Sequence, residues 1–285
     1  MPKRWILLFT ATLLFGSASA SATELVANGS FEIGTFAGWT NTIVGMPFVP
    51  WLISPAGAGS PGFGMAATLP QDGALDAWNG FDGSSGTVYT LYQDITIPPF
   101  LAEPALLKWK DRVQWNFLLT STATQARLYS VQIRDTRGAV LATIHSFSTG
   151  TAHVIGDTGW QAHSIDVSAY AGMTIRLWFE EDIPENFTGP GQFELDAVSL
   201  NVASLVSVDN CNTGILNRVI NPVTGTLQQF VTSLVDSCTA GARNHGDIVN
   251  CVTRGLNDAK GTVVNGQEKG AITVCTAQTS RRGKY

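Results

Sequence analysis

What the chain lacks narrows it first. Beyond residue 15 it has no apolar run long enough to span a bilayer. It contains no Gly-x-Ser-x-Gly, no His-Glu-x-x-His and no phosphate-binding loop. The common signatures of serine hydrolases, zinc peptidases and nucleotide-binding enzymes are therefore absent. Cys-x-x-Cys does not occur either, and no cysteine precedes position 211. Basic side chains are scarce in residues 23–202, where 7 stand against 17 acids for a net charge of −10. So acidic a surface argues against nucleic acid as the main partner and suits calcium and neutral polymers. Residues 203–285 reverse the balance, with 8 basic side chains and 5 acidic ones. That mild excess reads as a solvated surface.

The N-terminus has the form of an export signal. Lys3 and Arg4 are followed by the uncharged apolar run Trp5 to Phe15, and small residues offer cleavage after Ala20 or Ala22. Residues 1–22 are expected to be removed, leaving 15 basic and 22 acidic side chains. The mature protein is then expected outside the cytoplasm, secreted or periplasmic, and not spanning a membrane.

From Glu24 to about Val202 the chain is rich in Gly, Thr, Val, Phe and Trp, with turn signals roughly every ten residues. Leu128–Arg134 and His163–Val167 alternate at period two, and Thr174–Phe179 approximates it, as half-buried strands do. Asp135-Thr136-Arg137-Gly138 reads as a hairpin turn, and Pro98-Pro99 as the stop of a strand ending near Ile97. No long periodic helix interrupts this pattern, so residues 23–202 are predicted to form one β-sandwich.

After Ala203 the periodicity changes to three and four. Thr226–Cys238 is helical in pattern, Asn244 with Asp247 forms a cap-and-acid pair, and Asn265 with Glu268 forms another. Residues 203–285 are predicted to be a small helical module. It holds Cys211, Cys238, Cys251 and Cys275. An even count in a small exported module indicates two disulfides, with three connectivities open.

Two phrases bear on function. Asn28-Gly29-Ser30-Phe31-Glu32, running on to Gly38-Trp39, stands near the start of the β-rich segment. Phe193-Glu194-Leu195-Asp196-Ala197-Val198-Ser199-Leu200 closes it. An antiparallel sandwich commonly sets its first and last strands side by side. Glu32 and Asp196 are thus candidate ligands of a structural calcium ion. For a sugar, aromatic faces beside planar polar groups are the requirement. Trp78, Asn79, Phe81 and Asp82 offer this in one stretch, and Gln114, Trp115 and Asn116 in another, both read as lying outside clear strands. Trp51 is a third aromatic assigned to a loop, whereas Trp39, Trp109 and Trp178 are assigned to the core. Glu180, Glu181, Asp182 and Glu185 crowd together before Gly189, but acids in loops are usually solvated, and no catalytic residue is assigned. His145, His153 and His163 lie on or near strands with no recognisable nucleophile beside them.

The two phrases also carry a resemblance. Leu25–Glu32, Gly38-Trp39 and the closing Phe-Glu-Leu-Asp-Ala-Val-Ser-Leu resemble the edges of a galactose-binding-like jelly roll, in particular the bacterial CenC-like carbohydrate-binding modules. The likeness covers about residues 24–201. It implies a jelly-roll sandwich, a polysaccharide or glycan as partner, and a structural calcium on Glu32 and Asp196. Ala197 stands where such modules often carry a second Asp. The tail, through Gly241–Gly246, Val249–Val252 and Gln267–Ile272, resembles a small cysteine-bearing helical segment of exported bacterial proteins. The sequence reading is thus a mainly β protein: a jelly-roll β-sandwich with a small C-terminal disulfide-linked helical module. Its expected role is non-catalytic carbohydrate binding. The alternatives are a structural or adhesive protein that meets an extracellular protein partner and, more remotely, a glycoside hydrolase.

Overall fold

The computed structural model describes residues 22–46, 49–55, 65, 69–81, 86–117, 125–184, 189–221 and 225–279. Residues 1–21, Asp82 and Glu185 lie outside them. Twelve strands between Thr23 and Val202 form two antiparallel sheets packed face to face. The first has the order β10 (Gln161–Asp166), β6 (Leu106–Asn116), β12 (Gly191–Val202), β4 (Leu75–Phe81), β3 (Val49–Pro55). Short β1 (Thr23–Glu24) and β9 (Ile155–Asp157) add to β12 and β6. The second has the order β2 (Thr40–Val44), β5 (Thr87–Thr96), β11 (Thr174–Ile183), β7 (Leu128–Arg134), β8 (Val140–Ser148). This is the jelly-roll type of β-sandwich.

Alternation sets the faces. In β11, Ile175, Leu177, Phe179 and Ile183 are buried, while Arg176, Trp178 and Glu180 on the other face are half-buried. Between the sheets these side chains meet Trp39, Trp109, Tyr129, Phe193 and Leu195 in one core running from Val26 to Val202. The hairpin turn falls as expected, with Gly138 N–H donating to the Asp135 carbonyl at 3.0 Å and Gly138 at φ 95°. Trp178, assigned to the core from sequence, instead lies on the outer face of the second sheet. It stacks on Tyr92 with centroids 4.9 Å apart, while Arg134 sits over its ring at 3.9 Å.

The closing strand shows how sequence writes a bulge. Phe193 and Leu195 face the core, and so do Val198, Leu200 and Val202, which have the opposite parity. The register of β12 against β6 shifts between Asp196 and Ser199, and Ala197 takes φ 53°. One extra residue keeps both apolar sets inside. The opening phrase docks on this bulge: Val198 N–H donates to the Gly29 carbonyl at 2.9 Å, and a Cβ on Gly29 would stand 1.8 Å from the Val198 carbonyl oxygen.

After Val202 a second core begins, running from Val206 to Cys275. It is built on helices α1 (Leu227–Ala240), α2 (His245–Asp258) and α3 (Gly266–Gln278). Thr226, Asn244 and Asn265 cap them, each side chain accepting from the N–H three residues on. The module is not purely helical: β13 (Leu205–Val208) pairs with β14 (Cys211–Leu216), and β15 (Val219–Asn221) with β16 (Gly225–Thr226). Disulfides join Cys211 to Cys275 and Cys238 to Cys251. The two parts are tied where Ala102 N–H donates to the Ala203 carbonyl at 2.7 Å and Leu205 N–H to that of Phe100 at 2.9 Å. Among the described residues no helix is long and apolar enough to cross a membrane.

Candidate functional site

The two aromatic stretches lie in strands, not loops. Trp78, Asn79 and Phe81 belong to β4, and Gln114, Trp115 and Asn116 to β6. All but the half-buried Asn116 are buried, and Asp82 lies outside the described residues. Trp51 is buried too, in β3, edge-on to Phe193 at 5.7 Å. Asn, Asp and Gly are depleted in strands, so these segments read as turns. Central strands covered on both faces, however, can carry polar side chains that pair across the sheet.

That pairing is extensive on the outer face of the first sheet. Cross-strand register places Trp78 and Arg112 on either side of Glu194, and Gln114 beside Gln192. Arg112 donates to Glu194 Oε2 at 3.1 Å and reaches Asp157 through two nitrogens, at 2.9 and 2.6 Å. Gln114 donates to Asp157 at 3.0 Å and accepts from Gln192 at 2.9 Å. The Trp78 indole N–H donates to Ser54 Oγ at 2.5 Å, which takes its polar handle. Trp115 has inner-face parity. Its ring lies across Gly156 of β9, where a Cβ would stand 2.0 Å from it, and it packs on Phe147 at 5.6 Å. Asn79 faces the core between Ala77 and Phe81, and its buried amide has no hydrogen-bond partner among the described residues. None of these side chains offers a free aromatic face to a ligand.

Glu32 and Asp196 have partners of a definite kind. Ala74 and Leu75 each donate a backbone N–H to Glu32 Oε1 at 2.8 Å. Gln71 and Asp72 donate theirs to Asp196 Oδ2 at 2.6 and 2.8 Å, and Ala197 donates to Oδ1 at 2.7 Å. Gly73, between those donors, takes φ 74°, and a Cβ there would fall 2.4 Å from the Glu32 carboxyl carbon. Calcium is held by oxygens, whereas the groups converging here are N–H donors. By this geometry the two carboxylates clamp residues 71–75, and calcium between them stands as a proposal. Burial pushes Asp196 up to about 6, against the pull of its three amide donors. Asp76 nearby is pushed up to about 7, by burial first and then by the charges of Glu194 and Asp196.

The acid cluster is divided by the alternation of β11. Glu181 is buried and accepts from the Tyr129 hydroxyl at 2.7 Å, whereas Glu180, on the other face, accepts from Trp178 and Arg134. Glu185 lies outside the described residues.

A cavity of about 370 Å³ lies between the sheets at the edge where β8 and β10 face each other. The rings of Tyr129, Phe147 and Phe193 line it beside Thr158, Gln161 and a polar cluster. In that cluster His163 Nε2 stands 3.0 Å from Asp111 Oδ1, and Trp109 donates to Asp111 Oδ2 at 2.8 Å. His163 stacks on Trp109 at 4.6 Å, and the His145 ring is 4.2 Å from that of His163. Burial and the neighbouring His163 lower the pKa of His145, and Asp111 offsets part of this. The sequence held one signal of this site. His163 shares its parity with Ile165 and Val167, and Asp111 shares that of Trp109 and Val113, so both polar side chains point inward.

No family model matches the chain, and neither does any curated protein. Solved structures do. A carbohydrate-binding module, TmCBM61, solved with β-1,4-galactotriose, is 13% identical over 62% of this chain and 97% of its own, with TM-score 0.38. The K3 adhesin domain of Lys-gingipain from Porphyromonas gingivalis is 14% identical over 64% and 99%, with TM-score 0.40. The enzymatically active domain of tailspike protein 4 of bacteriophage CBA120 is 13% identical over 63% of this chain, with TM-score 0.36. The match spans 21% of that phage chain.

Proposed function

We propose that the chain is an exported, non-catalytic binding protein whose sandwich takes a carbohydrate in the cavity between its sheets. The observation that supports this is the lining of that cavity. The half-buried ring of Phe147, with the buried Tyr129 and Phe193 completing the apolar wall, stands beside planar hydrogen-bonding groups on Gln161, His163 and Asp111, in a volume within the range of small-ligand pockets. Sugar C–H faces pack on such rings while amide, imidazole and carboxylate groups read the hydroxyls. The CenC-like resemblance adds polysaccharide as the ligand class, and a calcium on Glu32 and Asp196 belongs to the same proposal. Export rests on the character of residues 1–22 and fits the two disulfides.

The burial of Trp78 and Trp115 favours a second reading, in which the sandwich meets an extracellular protein and binds no sugar. A glycan-array and insoluble-polysaccharide screen on the full chain separates the two. Binding that is lost in Phe147→Ala and Gln161→Ala variants of native fold supports the carbohydrate site. A negative screen with folded protein rejects it in favour of a protein partner.

A further inference from the structure

We propose that Asp111, His145 and His163 bind a divalent first-row transition metal ion, with zinc the best match, at the wall of the inter-sheet cavity. Each residue comes from a different strand: Asp111 from β6, His145 from β8 and His163 from β10. The three strands belong to both sheets, so only the closed sandwich brings them together. One ligand atom from each lies within 4.8 Å of the others, and among the described residues no other group of three or more metal-binding side chains does so.

The chemistry suits a borderline ion. Two imidazoles and one carboxylate form an N₂O set that zinc and its neighbours accept and that calcium, an oxygen binder, does not favour. Two ligands on a tetrahedral zinc stand about 3.3 Å apart, given bonds of roughly 2.0–2.1 Å. His163 Nε2 and Asp111 Oδ1 are already at 3.0 Å. A small outward movement of each would admit the ion in place of the proton between them. The outer contacts are built as metal sites need them. Trp109 N–H fixes Asp111 Oδ2, leaving Oδ1 directed at His163, and the Trp109 ring, 15° from parallel, holds the plane of His163.

Three protein ligands leave at least one coordination position. All three residues line the cavity, so that position faces it and can take an oxygen of water or of a bound ligand. The site stands on this geometry alone. It does not rest on the carbohydrate reading, because metal binding is measured with no glycan present.

The test uses the untagged full chain, stripped with chelator and titrated with zinc by calorimetry. Cobalt(II) serves as a second probe through its visible d–d bands. One zinc per chain is expected, with a dissociation constant in the micromolar range or tighter and cobalt bands of a low-symmetry N,O site. His145→Ala, His163→Ala and Asp111→Asn should each weaken binding by more than the roughly 100-fold that loss of an outer contact can cost. His245→Ala, in the helical module, should leave it unchanged. If His163→Ala fails to fold, His145→Gln, on an edge strand, decides in its place. Absence of zinc binding by folded wild type would overturn the site, as would affinity unchanged in His145→Gln. Either result would leave Asp111 and His163 as a hydrogen-bonded pair at the sheet edge.

Discussion

Glu32 Oε1 and Asp196 Oδ2 each accept two backbone N–H bonds from the same short stretch, residues 71–75. The acids that open and close the sandwich therefore meet through a third piece of chain, which they hold against the bulge in β12. Asp196 is fully buried and takes a third N–H from Ala197, whereas Glu32 is exposed. Removing the buried Asp196 carboxylate leaves three partly buried N–H donors without their acceptor, each worth roughly 1–3 kcal/mol where water does not replace it.

Asp196→Ala is therefore expected to cost more than about 3 kcal/mol in urea unfolding, and Glu32→Ala clearly less. Equal effects would contradict the clamp. Chelator decides the calcium proposal in the same assay. A fall in wild-type Tm that is absent from Asp196→Ala supports a bound ion, and an unchanged Tm leaves the clamp alone.

Asp76 makes stability depend on pH. Its folded pKa is about 7 and that of Asp196 about 6, both above the ordinary 3.8. The folded state keeps protons that the unfolded chain releases between about pH 4 and 7, so these groups lose stability as pH rises through that window. His145, with its pKa lowered, acts in the opposite sense below about 6.5. The clean readout is thus the difference between Asp76→Asn and wild type. The Tm of the variant should rise relative to wild type from pH 5 to pH 8. A constant difference would show that Asp76 titrates as an ordinary carboxylate.

How much of this was legible depended on whether one strand or two sheets carried the signal. The period of β11, the turn at Asp135–Gly138 and the caps Asn244 and Asn265 are local, and the residues alone predict them. The bulge is local as well, written in the parity change between Leu195 and Val198. The burial of Trp78 and Gln114 is not. It depends on Arg112 and Glu194 pairing across strands some 80 residues apart and making a polar sheet face fit to be covered. Nor can one strand show that His145 and His163 meet, since β8 and β10 belong to different sheets. In the tail, the hairpin at 205–216 has an irregular register and so carries no clean period of two, whereas the helical period after Thr226 is local and regular.

The disulfides should differ in worth. Cys211–Cys275 closes a loop of 64 residues and Cys238–Cys251 one of 13. Chain entropy assigns about 4 kcal/mol to the first and about 3 to the second. Replacing Cys211 and Cys275 together by serine should destabilise the second core more than replacing Cys238 and Cys251. Because the two cores are separate clusters, the Tm of the sandwich should change little in either variant. Calorimetry resolving two transitions checks both points, and a sandwich that melts with the tail would contradict them.

Trp115 and Phe147 touch each other but should report different things. The Trp115 ring is buried against Gly156 and the core, so Trp115→Ala opens a cavity and should cost about 3–5 kcal/mol. Gly156→Ala should also destabilise, because a methyl there enters the space of the ring. Loss of glycan binding in either variant would follow from loss of packing and would locate no ligand. Phe147 is half-buried on an edge strand and lines the cavity, so Phe147→Ala should keep the fold with a smaller Tm change. If sugar occupies the cavity, that variant should lose affinity at least about tenfold while its near-ultraviolet circular dichroism stays native. Unchanged affinity in Phe147→Ala would move the ligand out of the cavity altogether.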